Sequence, residues 1–303
     1  MKILITGGAG FIGSHLAEEL VRLGAQVIIY DNLRTGNIDN LTNLPVTLAQ
    51  EDISNYRLLC EAMRGCEVVF HLVALTSVVE SLENIEEYIT VNLHGTINVL
   101  KSAVENKVKK VIYASSAAVY GESPQLPKTE TMPLNPNSPY AITKLDSEFF
   151  CGFFNEYRKL PTICGRFFNV FGERQTLDSS YAAAIPIFIS NCLKDEPVLI
   201  YGDGNQTRDF IYVKDLVKAF ILLMEKGAGI YNVGYGKAVT ISNLVKTIKN
   251  YLNSHSEIRY VPERPGEIKD SYASIDKLVS LGFRPEFSLE KGLSKTIEYY
   301  KKH

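Results

Sequence analysis

The sequence is poor in the residues that mark several common functions. Its five cysteines (Cys60, Cys66, Cys151, Cys164, Cys192) are scattered, odd in number and free of any CxxC spacing. That pattern points away from a disulfide framework and toward reduced thiols. The five histidines are equally dispersed. None stands at metal-ligand spacing from a cysteine or carboxylate, so no metal is expected. An excess of one charge is also missing, since 32 Lys and Arg face 34 Asp and Glu for a net charge of −2. Such a balance leaves no footprint for nucleic acid or an anionic membrane, although a local arginine cluster could still hold a small anion. The longest apolar run beyond the N-terminus, Ala219–Met224, is far too short to span a bilayer. The opening MKILITGGAGFIG is apolar behind one lysine, but its glycines and the lack of a small-residue cleavage site argue against a secretory signal. Low-complexity stretches and internal repeats are absent too. The expectation is a soluble, cytoplasmic protein with no nucleic-acid or membrane partner.

What is present is an alternation of two patterns. Short β-branched runs at Lys2–Thr6, Gln26–Tyr30, Val46–Gln50, Val68–Leu72 and Lys110–Ala114 read as buried strands. Between them, Ser14–Leu23, Tyr56–Met63 and Glu86–Glu105 have helical periodicity. Alternating strands and helices imply right-handed βαβ units and a parallel, doubly wound α/β sheet. A long helix should begin at Pro139, with Ser138 as N-cap, and stop near Lys159 before Leu160-Pro161. Further on, Tyr181–Leu193, Asp215–Lys226, Thr240–Leu252 and Leu289–Lys301 read as helices, and Val198–Tyr201 and Phe210–Val213 as strands. With 303 residues the chain exceeds the needs of one small core. The division expected is a dinucleotide-binding domain over 1–165 with a return of about 206–236, and a smaller α/β lobe over 166–205 and 237–303.

Gly7, Gly10 and Gly13 follow the first strand and open the first helix in a GxxGxxG spacing. Glycines there allow a tight turn and let the backbone approach a pyrophosphate seated on the helix N-terminus. Asp31 ends the second strand, eighteen residues beyond Gly13. A carboxylate at that point accepts hydrogen bonds from ribose hydroxyls and repels a 2′-phosphate, which favours NAD. Arg34 nearby keeps NADP open. Asp52 and Ile53 follow the third strand and could grip adenine, although a carboxylate there is more often a helix cap. His71, Leu72 and Ala74 lie at the carboxyl edge of the fourth strand, where ligands of open sheets bind. His71 by itself reads as structural.

Ser115 and Ser116 follow the fifth strand, and Tyr140 and Lys144 lie on the helix after it, one turn apart. An ammonium beside a phenol, with a positive nicotinamide close by, would draw the phenol toward neutrality and make it a usable base. The Ser116 hydroxyl can pass or steady the proton.

With these motifs the chain resembles the extended short-chain dehydrogenase/reductases of the NAD-dependent epimerase/dehydratase family, specifically the UDP-glucose/UDP-N-acetylglucosamine 4-epimerase branch. The stretches that carry the resemblance are GGAGFIGSHL, DNLRTG, VNLHGTINVL, SSAAVYGE, PLNPNSPYAITKLDSE, GRFFNVFGERQ, GDGNQTRDFIYVKDL, YNVG and RPGEIKDS, spread over nearly the whole chain. The resemblance implies a Rossmann-type sheet with a smaller nucleotide-sugar lobe and a bound NAD. It implies Tyr140 as base, Lys144 tuning it and binding the nicotinamide ribose, and Ser116 completing the triad. Phe11, Ile12, Asn32, Asn92 and Phe167 would join the residues above around the cofactor. Asn169, Arg208, Arg264 and Glu267 would hold the nucleotide diphosphate, with Leu199 and Tyr201 beside uracil. It also implies a homodimer in which Glu86–Glu105 and Pro139–Lys159 pair with their copies as a four-helix bundle. Both stretches carry more apolar residues than one sheet contact needs, although packing on their own sheet accounts for part of that.

Relatives that share the fold run different chemistry, so the reaction must be argued from the site. Sugar 4,6-dehydratases that resemble this chain carry an acidic residue or pair in the two positions before Val-Tyr-Gly. Here those positions are Ala117 and Ala118, which cannot move protons. Reversible oxidation of a UDP-hexose at C4 is what remains. Ser271 falls where such epimerases place a gatekeeper, and a small side chain there leaves room for a 2-acetamido group. The SSYAAAIP stretch looks like the substrate loop of acetamido-sugar epimerases. UDP-GlcNAc/UDP-GalNAc is therefore the expected pair, with UDP-Glc/UDP-Gal as the second. The rivals are a nucleotide-sugar reductase or dehydrogenase with exchangeable cofactor, and a silent NAD-sensing scaffold. A broken triad would mark the scaffold, and all three residues are present.

Overall fold

The computed structural model describes residues 1–176, 184–263 and 268–302. The chain opens with β1 (Lys2–Thr6), α1 (Phe11–Arg22), β2 (Gln26–Tyr30), β3 (Val46–Ala49), α2 (Tyr56–Ala62) and β4 (Val68–His71). Short helices α3 (Val78–Glu83) and α4 (Ile85–Tyr88) lead through a π-helical turn, Ile89–His94, into α5 (Gly95–Glu105). Then come β5 (Lys110–Ser116), a 3-10 turn at Ala117–Tyr120, α6 (Pro139–Tyr157) and β6 (Thr162–Phe167). The remainder holds β7 (Asn169–Phe171), α7 (Ala184–Leu193), β8 (Val198–Tyr201), β9 (Thr207–Arg208), β10 (Phe210–Tyr212), α8 (Val213–Lys226) and β11 (Gly229–Val233). It ends with β12 (Val239–Thr240), α9 (Ile241–Leu252), β13 (Ile258–Val261), β14 (Asp270–Ser271), α10 (Asp276–Ser280) and α11 (Leu289–Tyr300).

The main sheet runs β11-β6-β5-β4-β1-β2-β3, and every pair from β6 to β3 is parallel. Its central strands β1, β2 and β4 are apolar and almost wholly buried, as strands covered on both faces must be. Strand order reverses between β1 and β4, whose last residues, Thr6 and His71, are paired in register. That reversal makes the carboxyl end of β1 the switch point at which open α/β sheets bind ligands. Below it lies a core of Leu4, Tyr30, Leu59, Val69, Leu100, Val111 and Phe154.

Two compact units divide the chain. The first comprises residues 1–119, 136–167 and 217–231; the second comprises 120–135, 168–216 and 232–303. The returning segment is thus shorter than the 206–236 read from the sequence. Its flanks stay in the second unit because buried Asp209 accepts hydrogen bonds from the amides of Tyr235, Gly236 and Ala273. The second unit contains the parallel pairs β7–β10 and β8–β13 and a small sheet ordered β12-β9-β14. An aromatic cluster of Phe171, Tyr212 and Phe287 supports α11, where Gly292 lies so close that a Cβ would sit 2.7 Å from the Phe171 ring.

The helix expected over Glu86–Glu105 is not one regular element. The π-turn at Ile89–His94 interrupts it, and a tertiary network explains why. The Asn92 side chain bonds both the amide and the carbonyl of Leu75, and it also donates to Thr143. Its own carbonyl accepts from the Thr96 and Ser147 hydroxyls.

Candidate active site

The turn after β1 has the geometry of a phosphate cradle. Gly7 has φ +72°, and a Cβ there would lie 2.9 Å from the Val73 nitrogen. At Gly13 a Cβ would meet the Gly7 oxygen at 2.1 Å. Gly10 is the N-cap of α1 and provides no side-chain cap, and the first turn carries no acidic residue. Phe11 and Ile12 form that first turn, whose amides and dipole favour an anion. The cradle is braced by Asp31, whose two oxygens accept from the amides of Ala9 and Leu33 at 2.9 Å each. Asn37 and Asn40 hold the Ala9 carbonyl. A carboxylate offers about four acceptor directions, so Asp31 retains capacity for ribose hydroxyls. Arg34 is committed to Glu87 in an ion pair, which weakens the NADP alternative.

Asn32 donates to Asp52 at 2.7 Å, and Asp52 also accepts from the Ser54 amide. Hydrogen bonding from Ser54, joined by Asn32 and the Arg34 charge, holds the Asp52 carboxyl below its ordinary value. Ile53 is buried against α5, where a Cβ on Gly95 would meet it at 2.9 Å. Leu72 and Ala74 are half-buried just past β4. Asn92 is 1% exposed and spends its amide on Leu75 and Thr143. Those bonds pin the segment after β4 to α6. Phe167 pairs in register with Ser116, and its ring meets that of Phe220 at a steep tilt, the centroids 4.7 Å apart. His71 bridges Thr6 and Thr96, and burial pushes it down to about 3, so it is a neutral structural residue.

The catalytic side chains converge because α6 starts where it does. Ser138 caps it by accepting from the Ala141 amide, and Pro139 occupies the first turn. Tyr140 therefore falls in that turn, buried, with the Ser116 hydroxyl near enough to its phenol to act on its ionisation. Lys144 follows one turn later and donates to the Ala114 carbonyl at 2.7 Å, its ammonium 4.9 Å from the Tyr113 ring centre. Burial raises the Tyr140 phenol above its usual value, and the Ser116 hydrogen bond opposes this. Burial lowers Lys144 to about 7, with Glu148 the first group opposing. The expected fall of the phenol toward neutrality is thus not a property of these protein groups alone, because desolvation outweighs the serine bond.

In the second unit, Arg208 and Ser271 are direct partners in the parallel pairing of β9 with β14. Arg208 donates to the carbonyls of Thr207 and Lys269, and Thr207 bonds the Asp270 carboxylate at 2.7 Å. Asn169 contacts the Asp209 carbonyl through both its amide and its side chain. Leu199 and Tyr201 alternate along β8 and so share one face of its two-stranded sheet, Leu199 being 40% exposed. Arg264, Glu267 and residues 179–183 of the SSYAAAIP stretch lie outside the described residues. Sequence reading missed Asp209, Thr207 and Asp270 as organisers of this unit. It also missed the buried Glu148, four residues beyond Lys144, a spacing that could have flagged it.

A glycine cradle, an acid at the ribose position and a Ser–Tyr–Lys group define a dinucleotide-dependent enzyme of the extended short-chain dehydrogenase/reductase class. Residues 3–234 match the model of the NAD dependent epimerase/dehydratase family. The chain belongs to that family, and its cofactor is NAD. It is similar to the solved UDP-N-acetylglucosamine 4-epimerase of Methanobrevibacter ruminantium, in complex with UDP-N-acetylmuramic acid. That match has 40% identity and TM-score 0.96, covering 99% of this chain and 98% of that one. The UDP-glucose 4-epimerase of Thermotoga maritima with UDP-glucose is 36% identical, TM-score 0.97, over 100% of this chain and 99% of the other. A UDP-N-acetyl-alpha-D-glucosaminuronate decarboxylase of Bacillus cytotoxicus is also 36% identical, over 99% of this chain and 98% of its own length.

Proposed function

We propose that the protein is a UDP-hexose 4-epimerase, acting on UDP-GlcNAc/UDP-GalNAc first and UDP-Glc/UDP-Gal second. One observation carries the choice of reaction. The 3-10 turn that follows Ser116 presents Ala117 and Ala118, and neither can serve as the acid or base that elimination or decarboxylation of a sugar requires. The names of the similar epimerases support the reading; the similar decarboxylase makes that turn the feature to weigh.

Gly7, Gly10, Gly13 and the first turn of α1 would hold the pyrophosphate of NAD, and Asp31 the adenosine ribose. Bound there, NAD would supply reversible hydride transfer at the sugar C4. Tyr140 takes the proton of the C4 hydroxyl, and Ser116 steadies that oxygen as it becomes a carbonyl. The Lys144 ammonium favours the phenolate through charge. Return of the proton from Tyr140 after the keto sugar has turned over completes the inversion. Asn169 and Arg208, with Arg264 and Glu267, would hold the UDP moiety, since guanidinium groups make charge-assisted bonds to phosphate. Ser271, beside Arg208 in the strand pair, is the residue assigned to the 2-substituent.

The test is NMR of the purified protein with UDP-GlcNAc and UDP-Glc separately, without added cofactor. The galacto epimer should appear with no accumulation at the NADH absorbance band. Stoichiometric NADH, or no epimer from either sugar with NAD added, would overturn the reading. Ser271→Tyr should suppress the acetamido activity first; equal loss on both sugars would remove the gatekeeper role.

A further inference from the structure

Next to the catalytic group lies a buried charge cluster that the reaction itself does not use. Glu148 and Arg166 pair at 2.7 Å, with both side chains 2% exposed. Arg166 Nε donates to Glu148 Oε1 at 2.9 Å, and the Ser115 hydroxyl donates to the same oxygen. An ion pair in such a place is weak support for stability, because desolvation offsets most of its attraction. Its location suggests a different use. Ser115 directly precedes Ser116, and Glu148 stands one helical turn beyond Lys144 on the same face of α6. Arg166 is the β6 partner of Ser115 in the sheet register, just before Phe167, the partner of Ser116. The three elements that meet at this carboxylate are β5, α6 and β6, and the first two carry the catalytic triad.

We infer that Glu148 is a positioning residue: bonded by Ser115 of β5 and Arg166 of β6, it locks α6 against the strands, holding Lys144, one turn away on the same face, in register with Tyr140 and an anion beside its ammonium. Only its kinetic consequence rests on the proposed epimerase reading. The surroundings of Lys144 single Glu148 out. On α6 it shares a face with Tyr140 and Glu148 and feels the charges of Glu148 and Cys151; on β5 it meets the Ala114 carbonyl and the Tyr113 ring; on β4 its charge acts on neutral His71. From β6, Arg166 and Cys164 flank the same carboxylate. Burial disfavours the ammonium, and Glu148 is the foremost group opposing that, ahead of Cys151. Arg166 is bonded to that carboxylate, so its charge and that of Lys144 both draw on one anion.

Competition gives the test opposite signs. In protein labelled with 13C at lysine Cε, the Lys144 resonance is assigned by its loss in Lys144→Met and followed against pH. In Glu148→Gln the midpoint should fall by about one unit or more, since the anion is gone while the Arg166 charge remains. In Arg166→Gln the midpoint should hold or rise, because the carboxylate is freed for Lys144. The alkaline limb of the epimerase pH profile should move in the same directions, whereas melting temperature falls in both variants. An unmoved midpoint in Glu148→Gln, or activity lost equally at every pH, would reduce the cluster to a structural strut. If Glu148→Gln does not fold, a fallen midpoint in Arg166→Gln overturns the inference just as well. Should the wild type epimerise nothing, the resonance titration still decides this point separately.

Discussion

Tyr140 and Gly13 separate two demands that the site places on single residues, chemistry and close approach. Tyr140 is buried, with the Ser116 hydroxyl near its phenol. Removing the hydroxyl in Tyr140→Phe keeps the ring and its packing but deletes the base. Turnover should fall roughly 100- to 10,000-fold, the usual weight of a positioned acid–base group, with retained nucleotide and melting temperature little changed. Epimer formation by NMR and nucleotide released on denaturation measure the two parts. A variant that still turns over within tenfold of wild type would mean another base, contrary to the assignment. Gly13 makes the opposite case. An added methyl would lie 2.1 Å from the Gly7 oxygen and 2.7 Å from Gly8 Cα, both backbone atoms. The turn must open to admit it, so Gly13→Ala should release NAD during purification while Tyr140, Ser116 and Lys144 keep their mutual geometry. Full retention of NAD in that variant would show that the turn does not bind the pyrophosphate as assigned.

At the scale of elements, the shortest strands hold the residue proposed to select the sugar. β14 is two residues long, and its pairing with β9 sets Ser271 beside Arg208. The Thr207–Asp270 bond ties the two strands by their side chains. Thr207→Val keeps the shape and β propensity but leaves the carboxylate without that donor, a loss of about 1 kcal/mol. Freed of it, Ser271 should shift against Arg208, and the preference between UDP-GlcNAc and UDP-Glc should change roughly fivefold. Comparing kcat/KM on both sugars checks this; an unchanged ratio would mean that the register is held by backbone pairing alone. Legibility divides along the same line of local against tertiary causes. The start of α6 was readable because Ser138 and Pro139 supply cap and first turn by themselves, and the glycine turn was readable because its constraint is local. The strands β6 and β11 were not read in advance. TICGRF and GIYNV are broken by glycine and polar residues, and the burial of Arg166 in its strand depends on tertiary partners such as Glu148 of α6. The π-turn depends on Asn92 reaching Leu75, a contact seventeen residues away. The two-residue strands exist through Asp209, Thr207 and Asp270, whose partners are remote in sequence.

For the molecule as a whole, the described residues include no helix long and apolar enough to cross a membrane, yet one helix face is far from polar. Ile142, Phe149, Phe150, Phe153 and Tyr157 are exposed on α6, Phe149 at 65% and Tyr157 at 66%. Their spacing puts them on one side of the helix, opposite the side that carries Tyr140, Lys144 and Glu148 into the protein. Val78, Leu82 and Ile85, on α3 and α4, are exposed as well, whereas no large apolar side chain of Glu86–Glu105 is. Residues 78–85 thus add exposed apolar surface to the stretch Glu86–Glu105 expected to take part in the dimer. Contiguous apolar surface of this kind is what a partner covers, and a second copy of the chain is the partner proposed. The aromatic members are the ones that should dominate the binding energy. Phe149→Glu with Phe153→Glu removes two of them and buries charge in their place. At roughly 2 kcal/mol for each anchor the dimer should weaken about a thousandfold, enough to turn a micromolar sample monomeric in sedimentation velocity. The glycine turn and the Ser–Tyr–Lys group lie away from that face, so the monomer should keep its NAD even if α6 moves enough to slow turnover. A wild-type protein that sediments as a monomer at tens of micromolar would refute the dimer and leave the aromatic face to another ligand.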